Sequence, residues 1–169
     1  MKQLLICILL LSSCGAIKSD VNQQLKSALL CETFSLGVAR DLDASGSQFK
    51  QGYAVTQYGE GMTDTTVVIV EKPIVISGAR TSAVIATVAD PVYRDFYGYV
   101  YSKFKGDYKK VVADLKLVKP LNDDVKIGEY QRAVLSEEIS DIPVVCPQTV
   151  GLTPLSDDTF LLGCGWCNG

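Results

Sequence analysis

The chain has 169 residues, of which 47% are hydrophobic and 21% are charged, with 16 Lys and Arg against 19 Asp and Glu and no histidine. This hydrophobic fraction excludes a disordered charged tail, and the length fits one domain. An acidic chain is a poor candidate for non-specific nucleic-acid binding, which depends on neutralising phosphates. Without histidine, the chain lacks the base of Ser-His-Asp and Cys-His catalysis.

The first fourteen residues have the layout of an export signal. Lys2 gives a basic start, residues 4–11 are all apolar, and two serines precede Cys14. Such a run is too short to cross a bilayer as a helix, which takes about 20 residues, but it suffices for the apolar part of a signal. Leu11-Ser12-Ser13-Cys14 resembles the lipobox of bacterial lipoprotein precursors.

The resemblance implies cleavage before Cys14, whose sulfur would receive a diacylglycerol and whose new amino group would be acylated. Residues 1–13 would then be the signal peptide and residues 14–19 a lipidated tether. Gly15 follows the cysteine, where an Asp would resemble an inner-membrane retention signal, so the resemblance implies an outer-membrane anchor facing the periplasm. Removal of Lys2 with the signal changes the net charge from −3 to −4. The alternative is an ordinary secretory signal cut nearer Ser19.

The remaining cysteines are Cys31, Cys146, Cys164 and Cys167. An even set in an oxidising periplasm predicts two disulfides, for which three pairings exist. We favour Cys146 bonded to one member of the terminal pair and Cys31 bonded to the other. Redox chemistry at Cys164 would need a helix to begin there, and zinc would need two close cysteine pairs. We therefore predict structural disulfides, no metal and no cofactor.

In chain order, the apolar spacing first predicts a helix from about Asp20 to Phe34 that carries Cys31 near its end. The period then changes to two, which predicts antiparallel strands in a meander or small curved sheet. The predicted strands are Tyr53–Tyr58, Thr65–Glu71, Ile74–Ser77, Thr81–Val88 and Asp95–Phe104, with turns at Lys72-Pro73 and Ser77-Gly78-Ala79.

A second helix is predicted over Asp107–Val118, before Pro120, with a strand as the alternative. Ile127–Leu135 is predicted to be a strand. The segment between Cys146 and Cys164 is rich in glycine and proline and is predicted to be mostly loop, with a short edge strand at Thr159–Leu162. Residues 20–169 are thus predicted to form one α+β domain with a disulfide-stapled C-terminal region.

No catalytic motif stands out in the sequence. Ser47 and Ser102 each begin a Ser-x-x-Lys pattern, but about one such match is expected by chance at this composition, and the companion motifs of penicillin-binding enzymes are missing. Paired carboxylates lie only in turn-like contexts, where neighbouring side chains point apart. We predict that the protein is not an enzyme.

Two features suggest binding instead. Alternation in the strand near residue 100 places Tyr97, Tyr99, Tyr101 and Lys103 on one face, while Phe96, Gly98, Val100 and Phe104 lie on the other, core-like face. A tyrosine row is typical of protein–protein contacts. The alternative is that a helix covers the tyrosines as a second core layer.

The second feature is a lysine-rich segment between residues 103 and 119, which contains six lysines and only two acids. It could meet anionic head groups, peptidoglycan carboxylates or an acidic protein; the alternative is the solvated face of an amphipathic helix. From both features, the candidate partner-binding residues are Tyr97, Tyr99, Tyr101, Lys103, Lys105, Lys109 and Lys110.

These observations predict a non-enzymatic, periplasm-facing lipoprotein that binds a protein or envelope partner. By analogy, an inhibitor or immunity protein against an envelope-targeting toxin or a wall hydrolase ranks first, because such proteins are commonly small, acidic, disulfide-bonded and without catalytic groups. The alternatives are an envelope-assembly accessory lipoprotein and a small carboxylate-based or thiol-redox enzyme.

Overall fold

The computed structural model describes residues 20–33, 52–58, 65–89, 96–121, 127–134 and 148–168. The predicted signal peptide, Cys14 and Cys146 lie outside these ranges. Two helices and seven strands occupy the described residues. They are α1 Val21–Leu29, β1 Tyr53–Tyr58, β2 Thr65–Ile76, β3 Ala79–Ala89, β4 Phe96–Lys105, α2 Tyr108–Asp114, β5 Tyr130–Val134, β6 Gln148–Ser156 and β7 Thr159–Asn168.

All seven strands belong to one antiparallel sheet with the order β1-β2-β3-β4-β7-β6-β5. The first four strands form the predicted meander. The chain then passes through α2 and β5 before β6 and β7 bring it back against β4. The predicted α+β fold class is therefore confirmed, and β4 and β7 lie at the centre of the sheet.

Helix α1 is shorter than predicted. Asp20 caps its start, since the carboxylate accepts a hydrogen bond from the Asn22 N–H at 3.1 Å. At the other end Cys31 has a φ of 56°, and the N–H groups of Cys31 and Glu32 bond to carbonyls of the last turn. This is a Schellman ending, which stops the helix. The predicted helical placement of Cys31 is wrong, because the cysteine takes the position that usually holds glycine.

The predicted turn at Lys72-Pro73 is also wrong. Strand β2 runs through these residues, and the register against β3 shifts between Ile69 and Ile74. A bulge leaves residues unpaired in the ladder, so it accommodates a proline that has no N–H to donate. The turn at Ser77-Gly78 is confirmed, with φ values of 51° and 89°, as a two-residue hairpin with both turn residues left-handed requires.

Helix α2 ends four residues before the predicted Val118. The Asp107 side chain accepts hydrogen bonds from the N–H groups of Lys109 and Lys110 and caps the start. Lys116, at φ 54°, turns the chain out of the helix, and Val118 pairs with Gln131. A strand was the alternative prediction for Asp107–Val118, and within this segment only Val118 forms a β-bridge.

The largest error lies in the last quarter of the chain. The segment predicted as loop forms β6, and the predicted short edge strand is the ten-residue β7, which pairs with β4 on one side and β6 on the other. Glycine and proline led to the loop prediction, but Pro154 lies next to a register shift in the β6–β7 ladder. The glycines have a packing role that is described below.

One face of the sheet forms the core, and we call it the inner face. Phe104 and Phe160 are fully buried there on the paired strands β4 and β7, with ring centroids 5.6 Å apart. Both helices bury side chains in the same cluster, including Leu25 of α1 and Val111 of α2. We call the opposite side of the sheet the outer face.

A disulfide between Cys31 and Cys164 joins the end of α1 to β7 within this core. This agrees with the favoured arrangement, in which Cys31 bonds to one member of the terminal pair. Cys146 and the side chain of Cys167 lie outside the description, so the second disulfide stays a prediction.

Candidate binding face

Strand β4 carries most of the predicted contact residues onto the outer face. Tyr99 and Tyr101 are half-buried, and Lys103 and Lys105 are exposed, whereas Val100, Ser102 and Phe104 are buried on the inner face. The side chain of Tyr97 is not described. Both described helices pack on the inner face, so neither of them covers the tyrosines.

Three glycines lie beside the tyrosines on the outer face. In the sheet register Gly163 is opposite Tyr101, Gly165 is opposite Tyr99, and Gly151 of β6 is opposite Gly163. A groove of about 220 Å³ opens along β7 beside Gly151 and Gly163, walled by Tyr99, Tyr101, Thr153 and Leu161. We call this space the glycine groove.

Ile127 lies over the glycine groove. A β-carbon added at Gly165 would be 2.9 Å from Ile127 Cδ1, and one added at Gly151 would fall on the Ile127 carbonyl oxygen and lie 2.8 Å from Ile127 Cγ2. The Ile127 N–H donates to Gln131 Oε1 at 3.2 Å. One half-buried isoleucine therefore covers part of a groove whose other walls are Tyr99, Tyr101, Leu161 and the hydroxyl-bearing Thr153. This uncharged lining suits an apolar side chain rather than a charged one.

A second, larger space lies at the other end of the same face. Its volume is about 380 Å³, and the cationic side chains that line it are Arg80 from β3 and Lys103 and Lys105 from β4. The other described polar residues that line it are Thr81, Ser82, Thr159 and one acid, Asp158. We call this space the cationic hollow.

Bulges shape the cationic hollow. The registers of β2 with β3, of β3 with β4 and of β6 with β7 all shift near it, at Ile69/Ile74, Arg80/Ile85 and Pro154/Ser156. A bulge bends its strand and re-aims the local side chains. The three register shifts lie beside the cationic hollow, where charged side chains from β3 and β4 come together.

Asp158 is held by its own turn. The hydroxyls of Ser156 and Thr159 donate to Asp158 Oδ1 at 3.0 and 3.1 Å. These two hydrogen bonds, with a smaller contribution from the Lys105 charge, lower the pKa of the Asp158 carboxyl. The carboxylate therefore stays ionised, and its hydrogen bonds serve the β6–β7 turn.

The remaining predicted lysines do not join this face as one strip. Lys110 forms an ion pair with Asp114 at 2.6 Å, which lowers the pKa of the Asp114 carboxyl, and Lys109 lies 5.9 Å from the centre of the Tyr108 ring. Lys119 pairs with Glu129 at 3.0 Å, a contact that raises the pKa of the lysine. Of the predicted lysines, only Lys103 and Lys105 line the cationic hollow.

The sequence patterns considered above predict neither the role of Arg80 nor the glycine groove. Arg80 lies 25 residues before Lys105, and only the β3–β4 register places the two opposite each other. The glycines carry a usable signal: Gly151, Gly163 and Gly165 alternate with Val150, Leu152, Leu162 and Cys164, which is the period of a strand. That period favours strands, although glycine as a residue type is typical of turns.

No family model, curated protein or solved structure matches the chain. Within the described ranges, no cluster of three metal-ligating side chains occurs. No helix in the described part of the chain is long and apolar enough to span a bilayer.

Proposed function

We propose that this protein is a non-enzymatic lipoprotein that is anchored through Cys14, faces the periplasm and binds a protein partner through the outer face of its sheet. The observation that carries the proposal is the placement of half-buried Tyr99 and Tyr101 beside the glycine groove, on the face that neither described helix covers. Within this class we favour an inhibitor or immunity protein against an envelope-targeting toxin or a wall hydrolase.

The chemistry of the glycine groove supports a protein partner. Tyrosine contributes a large contact area with little rotamer entropy to lose, and its hydroxyl stays hydrogen-bonded at a wet rim. An apolar anchor in a pocket, surrounded by polar contacts, is the usual centre of an interface. Tyr99, Tyr101 and Ile127 would form that pocket, with Lys103 at its rim.

The proposed anchor limits where the partner is met. Residues 14–19 would span at most about 20 Å even when fully extended. The domain would therefore sit within one domain diameter of the bilayer, and its partner would be engaged at the membrane surface. This position suits the neutralisation of an enzyme or toxin that attacks the envelope.

The anchor predicts fatty-acid labelling at a single cysteine. In a bacterial host, wild-type protein should incorporate labelled palmitate and remain with the membrane fraction, whereas Cys14→Ser should lose the label completely. Cys7→Ser is the matched control, because it removes a cysteine of the signal and should keep the label. A wild-type product without label, or equal labelling of Cys14→Ser, would contradict the anchor.

The binding face is tested with a photo-crosslinking amino acid placed in the full-length protein. At position 101 it should give one discrete crosslinked product in envelope preparations of the native host, because that side chain borders the glycine groove. Position 58 on β1 is the control: Tyr58 is 61% exposed, so random collisions would mark it more readily. Equal products from both positions, or none from position 101, would reject the outer face as the contact surface.

A further inference from the structure

From the cationic hollow we infer a binding site for a phosphate group, carried by a lipid head group or by a soluble phosphate compound. This inference does not depend on the proposed protein partner, because it uses the opposite end of the outer face from the glycine groove. If crosslinking from position 101 failed, the phosphate site would still stand.

The first support is the opposition of like charges. Arg80 and Lys105 are direct partners in the β3–β4 register, an arrangement that places β-carbons about 5 Å apart and is destabilising for equal charges. Lys103 adds a third positive charge on the same strand face. An anion between these groups would replace the repulsion with attraction.

The second support is that cations outnumber carboxylates along the hollow. Among the described residues that line it the one acid is Asp158, whose carboxylate accepts hydrogen bonds from Ser156 and Thr159 within its own turn and also attracts Lys105. Lys110 and Lys119, in contrast, have carboxylate partners at 2.6 and 3.0 Å. The net charge along the hollow is positive in a chain whose overall charge is −3.

The third support is the geometry of the donors. Arg80 offers a planar fork of N–H groups, the two lysines offer compact point charges, and Ser82 adds a hydroxyl. A bidentate arginine engages both oxygens of a carboxylate, whereas a phosphate has further oxygens that accept bonds from other directions. Donors converging from β3 and β4 into a concave space therefore match phosphate better than a carboxylate.

The test is a lysine-acetylation footprint of the full-length protein in neutral detergent micelles, read by mass spectrometry at constant ionic strength. The probes are inorganic phosphate, phosphatidylglycerol added to the micelles, and polyglutamate. We expect phosphate to slow acetylation of Lys103 and Lys105 saturably, while exposed Lys116, which lines neither space, is unaffected. Constant ionic strength is needed because general screening would act on all lysines alike.

The arms of the experiment separate the sources of the phosphate. Protection by phosphatidylglycerol alone assigns the site to a membrane head group, protection by inorganic phosphate alone assigns it to a soluble compound, and protection by both confirms recognition of the shared group. Protection by neither, equal protection of Lys116, or protection by polyglutamate alone would overturn the inference.

Arg80→Gln gives the matched variant. It should weaken phosphate protection by about tenfold, the effect of losing one hydrogen bond to a charged group. In phosphate-free buffer it should also raise the thermal midpoint, because it removes the repulsion from Lys105. If Arg80→Gln lowers the thermal midpoint instead, Lys105→Gln provides the second measurement, with phosphate protection followed at Lys103. Protection of Lys103 that is undiminished in Lys105→Gln would overturn the inference.

Discussion

Replacing Cys31 and Cys164 together by alanine is expected to lower the free energy of unfolding by about 5 kcal/mol. The two residues are 133 positions apart, and a cross-link that closes a loop of this length removes much of the freedom of the unfolded chain. Domains of this size are stable by roughly 5–15 kcal/mol, so the cross-link would supply about a third or more of the total stability. Urea unfolding followed by circular dichroism measures the change.

The slope of the unfolding free energy with urea provides a second signature. Without the Cys31–Cys164 cross-link the unfolded chain expands and exposes more surface, so the m-value should rise. A loss of stability with an unchanged m-value would place the effect in the folded core, where both cysteines are buried.

The same variant tests the second predicted disulfide. If Cys146 and Cys167 are bonded, adding a reductant to the double variant should destabilise it further, because another closed loop is released. If they are free thiols, the double variant should not respond to the reductant, and the predicted Cys146–Cys167 bond would be wrong.

Most of the meander was predictable because local patterns and the final structure agree there. Strand β1 begins and ends at the predicted residues, and Ser77-Gly78 is the predicted turn. In these segments alternation of apolar side chains, β-branched residues and turn chemistry all favour the same structure. The outward direction of Tyr99, Tyr101 and Lys103 follows from the same alternation.

The errors occur where tertiary contacts override local preference. Cys31 adopts the left-handed conformation at the end of α1, which no residue type at that position signals, and its disulfide to Cys164 holds it in the core. Pro73 stays in a strand because a bulge accommodates it. Arg80 joins Lys105 through a register that hydrophobic pattern alone does not define.

The central place of β7 was not predicted, because the segment between Cys146 and Cys164 is rich in glycine and proline, which favour loops. Gly163 and Gly165 both lie on the outer face, yet they are needed for different reasons. At Gly163 the missing side chain lets the backbone of β4 approach, and at Gly165 it leaves room for Ile127 and Tyr99. The glycines of β7, a residue type typical of loops, thus allow close packing between strands.

Gly163→Ala is therefore expected to destabilise the fold by about 2–3 kcal/mol, in the range of overpacked cores. The new β-carbon would fall on the carbonyl oxygen of Val100 and 2.5 Å from the Tyr101 α-carbon. These are backbone atoms of the central strand, so no side-chain rotation relieves the clash. β4 and β7 would have to separate at the middle of the sheet.

Gly165→Ala is the matched control, since it makes the same change on the same strand and face. The three atoms nearest to its β-carbon would be Ile127 Cδ1 and Cγ2 and Tyr99 Cδ1, at 2.9–3.0 Å. These side-chain atoms can shift more easily than backbone atoms, so the destabilisation should be smaller, about 1 kcal/mol. Both substitutions reduce the freedom of the unfolded chain equally, so the difference between their unfolding free energies isolates the backbone clash. Equal effects would mean that the β4–β7 approach at Gly163 is not what requires glycine there.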